Sequence, residues 1–172
     1  MKKATLIIIL AVTYFTVTAQ VQTDKVHDNG LTPSNWTKVC KDKKYGFIDE
    51  TGKEIVKPKY DLINNFGDKG IGNWTLVRIG NKYGFIDYSG KEIVKPKYDS
   101  IYNFGEKGIG NWALVRIGNK FGFIDDTGNE IVKPIYDSIN KFGELELNMA
   151  SVIIDNKKGF IDLNGKFIEN KK

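Results

Sequence analysis

The sequence predicts an all-β protein, an open tandem array of antiparallel β-hairpin repeats with a period of about 38 residues. Three observations predict it. First, Tyr45-Gly46-Phe47-Ile48-Asp49 returns as Tyr83-Gly84-Phe85-Ile86-Asp87, as Phe121-Gly122-Phe123-Ile124-Asp125 and as Lys158-Gly159-Phe160-Ile161-Asp162. Such self-similarity is the signature of a repeat architecture. Second, each copy follows a short apolar stretch that alternates bulky and β-branched residues. It is joined to that stretch by a two-residue turn such as Gly80-Asn81, which is hairpin chemistry. Third, Asp and Gly frame the next turn at Asp49 to Gly52, Asp87 to Gly90, Asp125 to Gly128 and Asp162 to Gly165, the preference of a type I turn.

The elements follow in chain order. Residues 1–19 read as a signal peptide. Lys2 and Lys3 precede an apolar run from Leu6 to Val12 that extends through Phe15. Val17 and Ala19 then supply the small residues of a cleavage site, so the mature chain is expected to begin at Gln20. The run is too short for a membrane span, which needs about 20 apolar residues. The only cysteine, Cys40, lies too far downstream to carry a lipid. Residues 20–35 read as a flexible polar entry. Residues 36–172 form the repeat domain, with units near 36–73, 74–111, 112–148 and 149–172.

Within a unit, Trp36, Trp74 or Trp112 opens the first strand, and Met149 takes that place in the fourth unit. In the second unit the turn pairs Ile79 with Lys82. Arg78 then faces Tyr83, Leu76 faces Phe85 and Trp74 faces Asp87. Thr75, Val77, Gly84 and Ile86 take the opposite face. A hairpin apolar on both faces does not stand alone in water, so neighbouring units must cover it. A third strand, Glu92 to Lys95, is expected to end at Pro96, at an edge or a bend. Ser100 to Phe104 is a candidate fourth strand, and the loop Gly105 to Asn111 leads to the next Trp. The fourth unit is expected to be the weakest, because Met149 and Lys158 replace aromatics.

The motif of lysine, aromatic and glycine followed by Phe-Ile-Asp-x-x-Gly, with Ile93-Val94-Lys95-Pro96-Lys97-Tyr98-Asp99 and its counterparts downstream, resembles the bacterial WG-repeat family, also called the KWG repeat. The resemblance covers about Trp36 to Phe167. The family's Trp before Gly is Tyr45, Tyr83, Phe121 and Lys158 here. The resemblance implies β-rich repeats with interaction roles and no defined activity. It carries over no catalytic residue.

A period near 38 also approaches that of propeller blades, so a small four-bladed ring is the alternative fold. Ring closure requires the two ends to complete one another. The last unit lacks its Pro-x-Tyr-Asp part, and Val21 to Asn35 does not supply it. The open array is therefore the reading.

The candidate chemistry is sparse. Asp49, Asp87, Asp125 and Asp162 suggest calcium or paired-acid catalysis, but the turn explains each one, and successive copies should lie one repeat apart. His27 and Cys40 have nothing to orient them as a dyad. Lys69-Gly70-Ile71-Gly72-Asn73 is followed by a strand rather than a helix, so it lacks a phosphate-binding context. No catalytic, metal or cofactor residues are assigned. The chain is read as a non-enzyme with no cofactor.

The glycines Gly46, Gly84, Gly122 and Gly159, the tryptophans and the four aspartates are structural marks of the repeat. The recurring rings are expected to form the core of a β array that no disulfide supports. Arg78 and Arg116, beside Tyr83 and Phe121, are the candidate partner contacts, since a guanidinium stacks on a ring and still donates hydrogen bonds. The formal net charge is +5 with lysines spread through every unit, which argues against nucleic acid. The function read from the sequence is an exported, non-catalytic module, periplasmic or extracellular, for protein–protein interaction or envelope scaffolding. The partner is an unknown protein or envelope component, and the membrane is met only through the signal peptide during export. The alternative is carbohydrate or cell-wall binding through exposed aromatics. Exposure of Trp74 and Trp112 separates the two.

Overall fold

Each hairpin forms in the register that its turn dictates. The computed structural model describes residues 35–169, so the signal segment, His27 and nearly all of the entry segment lie outside the described residues. Among the described residues there are fifteen strands and no helix. The first sheet comprises β1 (Thr37–Lys41), β2 (Lys44–Ile48) and β3 (Glu54–Tyr60). The second comprises β4 (Leu62–Ile63), β5 (Trp74–Ile79), β6 (Lys82–Asp87) and β7 (Glu92–Tyr98). The third comprises β8 (Ser100–Ile101), β9 (Trp112–Ile117), β10 (Lys120–Asp125) and β11 (Glu130–Tyr136). The fourth comprises β12 (Ser138–Ile139), β13 (Ala150–Ile154), β14 (Lys157–Ile161) and β15 (Phe167–Glu169). All pairings are antiparallel, and the strand order within each sheet is the sequence order.

The central hairpin pairs Ile79 with Lys82, Arg78 with Tyr83, Leu76 with Phe85 and Trp74 with Asp87, as the turn predicts. Gly80 and Gly118 sit at φ 58° and 59°, the positive φ that the first turn residue needs. The outer hairpins make the same connection with Asp42-Lys43 and Asp155-Asn156, where both residues take positive φ.

Two strands differ from expectation. The third strand does not end at its proline: β7 runs through Pro96 to Tyr98. It tolerates the missing amide because it is the outer strand of its sheet and because its register slips there. Phe85 pairs with Val94, but Tyr83 pairs with Tyr98. The bulge throws the backbone toward β6. A Cβ on Gly84 would lie 2.3 Å from the Val94 carbonyl oxygen and 2.7 Å from the Pro96 nitrogen. Gly46 and Gly122 face the same obstruction, so the recurring glycine is the counterpart of the recurring bulge. The fourth strand is shorter than Ser100 to Phe104, and it does not belong to the sheet of its own unit. Leu62 and Ile63 pair with Arg78 and Val77, and Ser100 and Ile101 pair with Arg116 and Val115 of the following unit. Each sheet after the first therefore begins with a strand handed forward by its predecessor.

The sheets form an open series rather than a closed barrel. Every substantial contact between sheets joins neighbours, with β3 against β5, β7 against β9 and β11 against β13. The aromatic face of one sheet packs on the β-branched face of the next. Phe47, Val56, Tyr60, Ile63 and Phe66 meet Val77 and Ile86. Trp74, Leu76, Phe85, Val94 and Tyr98 meet Ala113, Val115 and Ile124. Trp112, Leu114, Phe123, Val132 and Tyr136 meet Ala150, Val152 and Ile161. Each fully buried Val, Leu, Ile or Phe contributes about 1.5–3 kcal/mol relative to exposure, so these junctions hold the array without a disulfide.

Candidate functional site

The cross-strand rung of Arg78 and Tyr83, with its copy Arg116 and Phe121, lies at the turn end of each middle hairpin. All four residues are half-buried. The guanidinium does not lie over the neighbouring ring. Arg78 Nη1 donates to the Gly80 carbonyl at 2.9 Å, and Arg116 Nη1 donates to the Gly118 carbonyl at 2.6 Å. Arg116 Nε also donates to Ser100 Oγ at 3.3 Å. Each arginine therefore closes its own turn while its flank stays open to solvent. In the outer units Cys40 and Ile153 take the arginine position, opposite Tyr45 and Lys158. Among the described residues the cations that sit over rings are lysines: Lys38 is 4.7 Å from the Tyr45 centroid, Lys59 5.1 Å from Tyr60 and Lys97 5.0 Å from Tyr98.

The structural marks fall one repeat apart. Trp74 and Trp112 are 6% and 5% exposed, and Trp36 is half-buried. Each packs in a trio of rings. Trp74 lies 5.3 Å from Phe85 and 6.0 Å from Phe104, and Trp112 lies 5.6 Å from Phe123 and 5.5 Å from Phe142. In the first unit Trp36 meets Phe47 at 5.2 Å and Phe66 at 6.2 Å. The loop rings Phe66, Phe104 and Phe142 were not singled out from the sequence. Their signal was available, since they keep the same step of 38 residues, but they lie in a stretch that reads as strand end and loop.

The aspartates build turns. Asp49 Oδ1 accepts from the Thr51 amide at 2.9 Å, the Thr51 hydroxyl at 2.6 Å and the Lys53 amide at 3.0 Å. The Thr51 hydroxyl bond is the main reason that its pKa lies below the ordinary carboxylate value. Asp87 and Asp125 repeat the arrangement. There burial pushes the pKa up, but the hydroxyl and amide donors outweigh it. Asp162 accepts two amides, from Asn164 and Lys166, each at 2.9 Å.

The junctions carry a polar system that the sequence did not reveal. The Tyr60 hydroxyl donates to Glu92 Oε1 at 2.9 Å, and Lys59 Nζ reaches the same oxygen at 2.8 Å. Tyr98, Lys97 and Glu130 repeat this clasp at 2.8 and 2.9 Å. The Lys59 contact holds Glu92 below its usual range, while burial pushes the Tyr60 and Tyr98 hydroxyls well up. Asp61 ties a second point: Oδ1 pairs with Lys44, and Oδ2 accepts the Gly80 amide of the next hairpin at 2.7 Å. Asp99 does the same with Lys82 and the Gly118 amide. Among the described residues no group of three His, Cys, Asp or Glu is placed to hold a metal ion.

No curated protein matches the chain. Among solved structures, Kluyveromyces lactis Hsv2 is 11% identical, with coverage of 74% of this chain and 47% of that one and a TM-score of 0.31. Its form with complete loop 6CD is 13% identical, covering 80% and 46%, with a TM-score of 0.33. KlHsv2 with that loop replaced by a Gly-Ser linker is 12% identical, covering 77% and 46%, at 0.35. This chain thus spans less than half the length of those proteins. The family model described as WG containing repeat matches residues 45–83, 83–121 and 121–157, three consecutive copies in register. With most of its length matched in this way, the chain belongs to the WG-containing repeat family.

Proposed function

We propose that the chain is an exported, non-catalytic module that binds a partner protein or scaffolds an envelope component. The observation that carries this reading is a repeated surface on an aromatic interior. The large rings are packed between sheets, while Arg78 and Arg116 recur at equivalent, half-buried positions in stacked units. Equivalent positions in a stack fall in a row, so one modest patch becomes an extended multivalent one. Tyr83 and Phe121 flank the row. Burial of Trp74 and Trp112 favours this reading over carbohydrate binding through exposed aromatics. Export is supported by the two lysines, the apolar run and the small-residue site at residues 1–19. N-terminal mass analysis of the protein from its native host is expected to find Gln20 at or near the start.

The test of the contact row is the double substitution Arg78→Ala with Arg116→Ala. Binding of envelope partners is expected to fall while thermal stability changes little. Each arginine gives up hydrogen bonds to a solvent-accessible turn, a loss of about 0.5–1.5 kcal/mol per bond at most. Retained binding together with a large drop in stability assigns the arginines to structure and removes this site.

A further inference from the structure

Between the second and third sheets, at the turn end of the hairpins, lies an open cleft of about 390 Å³. Its apolar part is made by Leu62 with Leu76 and Ile101, the last two buried in the junction core. Around it stand Asn64, Lys69, Tyr83 and Asp99. The Asp99 carboxylate is already engaged, by Lys82 at 2.6 Å and by the Gly118 amide at 2.7 Å. The other three are different. Among the described residues the Asn64 side-chain amide, the Lys69 ammonium and the Tyr83 hydroxyl have no hydrogen-bond or ion-pair partner. One cleft therefore combines an apolar floor, one unpaired cation and two neutral donors.

The same place in the next junction is lined by different residues. The step of 38 residues puts Tyr102 where the second sheet has Asn64, and the backbones agree. The Asn64 amide donates to Leu76, as the Tyr102 amide donates to Leu114. Tyr102 is partly buried against the core of the third junction. The counterpart on the fourth sheet is open, with about 320 Å³, but Leu145, Ser151 and Lys158 replace Lys69, Leu76 and Tyr83. Among the described residues compared, the chemistry is thus particular to this junction, not a by-product of the repeat.

We propose that this cleft captures the C-terminus of a partner polypeptide, with its apolar last side chain on Leu76 and Ile101 and its carboxylate between Lys69, Asn64 and Tyr83. A carboxylate is acceptor-only and can accept from each of these three donors. A cation makes such bonds stronger than neutral ones, and terminal carboxylates are a recurring mode of peptide recognition. Neither Arg78 nor Arg116 lines the cleft; Tyr83 is common to both surfaces, so the test variants are placed at Asn64 and Lys69, which the arginine row does not use.

The repeat itself supplies the test variants. Asn64→Tyr copies Tyr102, and Lys69→Leu copies Leu145, so both are accommodated elsewhere in the fold. Amide NMR on the whole array follows titration with a short peptide ending in a free leucine carboxylate, the same peptide amidated, and free isocaproate. Saturable shifts around Asn64, Tyr83 and Ile101 are expected with the free carboxylate. Amidation or Lys69→Leu is expected to weaken binding about tenfold or more. Asn64→Tyr is expected to abolish it at unchanged melting temperature. Equal binding of the amidated peptide, unchanged binding by Asn64→Tyr, or no saturable shift overturns the proposal. Isocaproate binding as tightly as the peptide assigns the cleft to small carboxylates and overturns the peptide assignment.

Discussion

The first two junctions and the third use the same slot in opposite ways. At the first two, a lysine and a buried tyrosine grip one carboxylate: Lys59 and Tyr60 on Glu92, Lys97 and Tyr98 on Glu130. At the third, Ile135 replaces the lysine, Phe167 replaces the glutamate, and Tyr136 instead lies 6.4 Å from the Phe167 ring. Both ends of the clasp have changed together. Phe167→Glu alone, opposite Ile135, would be a half-buried charge without its cation, and Glu130→Phe alone, opposite Lys97, would strand the Tyr98 hydroxyl. Either solution holds the sheets. The polar one adds direction and dependence on pH, and the apolar one adds only contact.

The largest effect is expected where backbone, not side chain, fills the space. Gly84→Ala places a Cβ 2.3 Å from the Val94 carbonyl oxygen, so the β6–β7 pairing must shift, at a cost of about 3–5 kcal/mol. Gly159→Ala meets the Phe167 ring at 2.4 Å and the Ile168 carbonyl oxygen at 2.7 Å. The ring can turn away and the backbone approach is less close than the 2.3 Å at Gly84, so a smaller loss is expected. Urea unfolding of the two variants measures the contrast, and equal losses would mean that the bulge is not the reason for the glycine.

Acid should separate the junctions next. Glu92, Glu130, Asp61, Asp99 and Asp137 all have pKa values lowered in the folded state. For Glu130 burial opposes the shift, but Lys97 and Tyr98 outweigh it. Groups depressed on folding stabilise above their unfolded values, about 3.9 for Asp and 4.3 for Glu, and this is lost as pH falls through the folded values. The first two junctions lose a clasp glutamate and an aspartate tie, the third only Asp137. Hydrogen exchange below about pH 4 is expected to open the first two earlier. The tyrosines act at the other end. Raised in the folded state, Tyr60 and Tyr98 stabilise fully below the unfolded value of about 10, and this is lost as pH rises through the folded values. Tyr136 is raised by burial alone.

The smallest expected effect tests the exchange itself. Ile135→Lys and Phe167→Glu, introduced together, rebuild the polar clasp at the third junction. The pair is expected to be more stable than the sum of the two single changes by about 1 kcal/mol in thermal unfolding. Strict additivity would show that the clasp contributes no coupling.

Much of the fold was legible in the sequence, and the particular residues show why. The rung of Arg78 and Tyr83 follows from a two-residue turn, because a turn of fixed length fixes every pair on both strands. The alternation of Trp74, Leu76 and Arg78 with Thr75 and Val77 marked two faces, and the core clusters use both. The candidate contacts were less legible. Sequence adjacency placed Arg78 beside a ring, but the guanidinium takes the Gly80 carbonyl, a choice made by side-chain geometry across the turn.

The sequence by itself determined the period, the hairpins, their register and the need for stacking, because these rest on turn chemistry and on alternation over a few residues. Only the tertiary structure decided where each sheet begins. Leu62 and Ile63 pair forward with Val77 and Arg78, and Glu92 lies within hydrogen-bond reach of a tyrosine 32 residues earlier. Strand pairing is satisfied equally well by any free edge. Which edge lies within reach depends on how one twisted sheet sits on the next, and no local pattern in the chain records that.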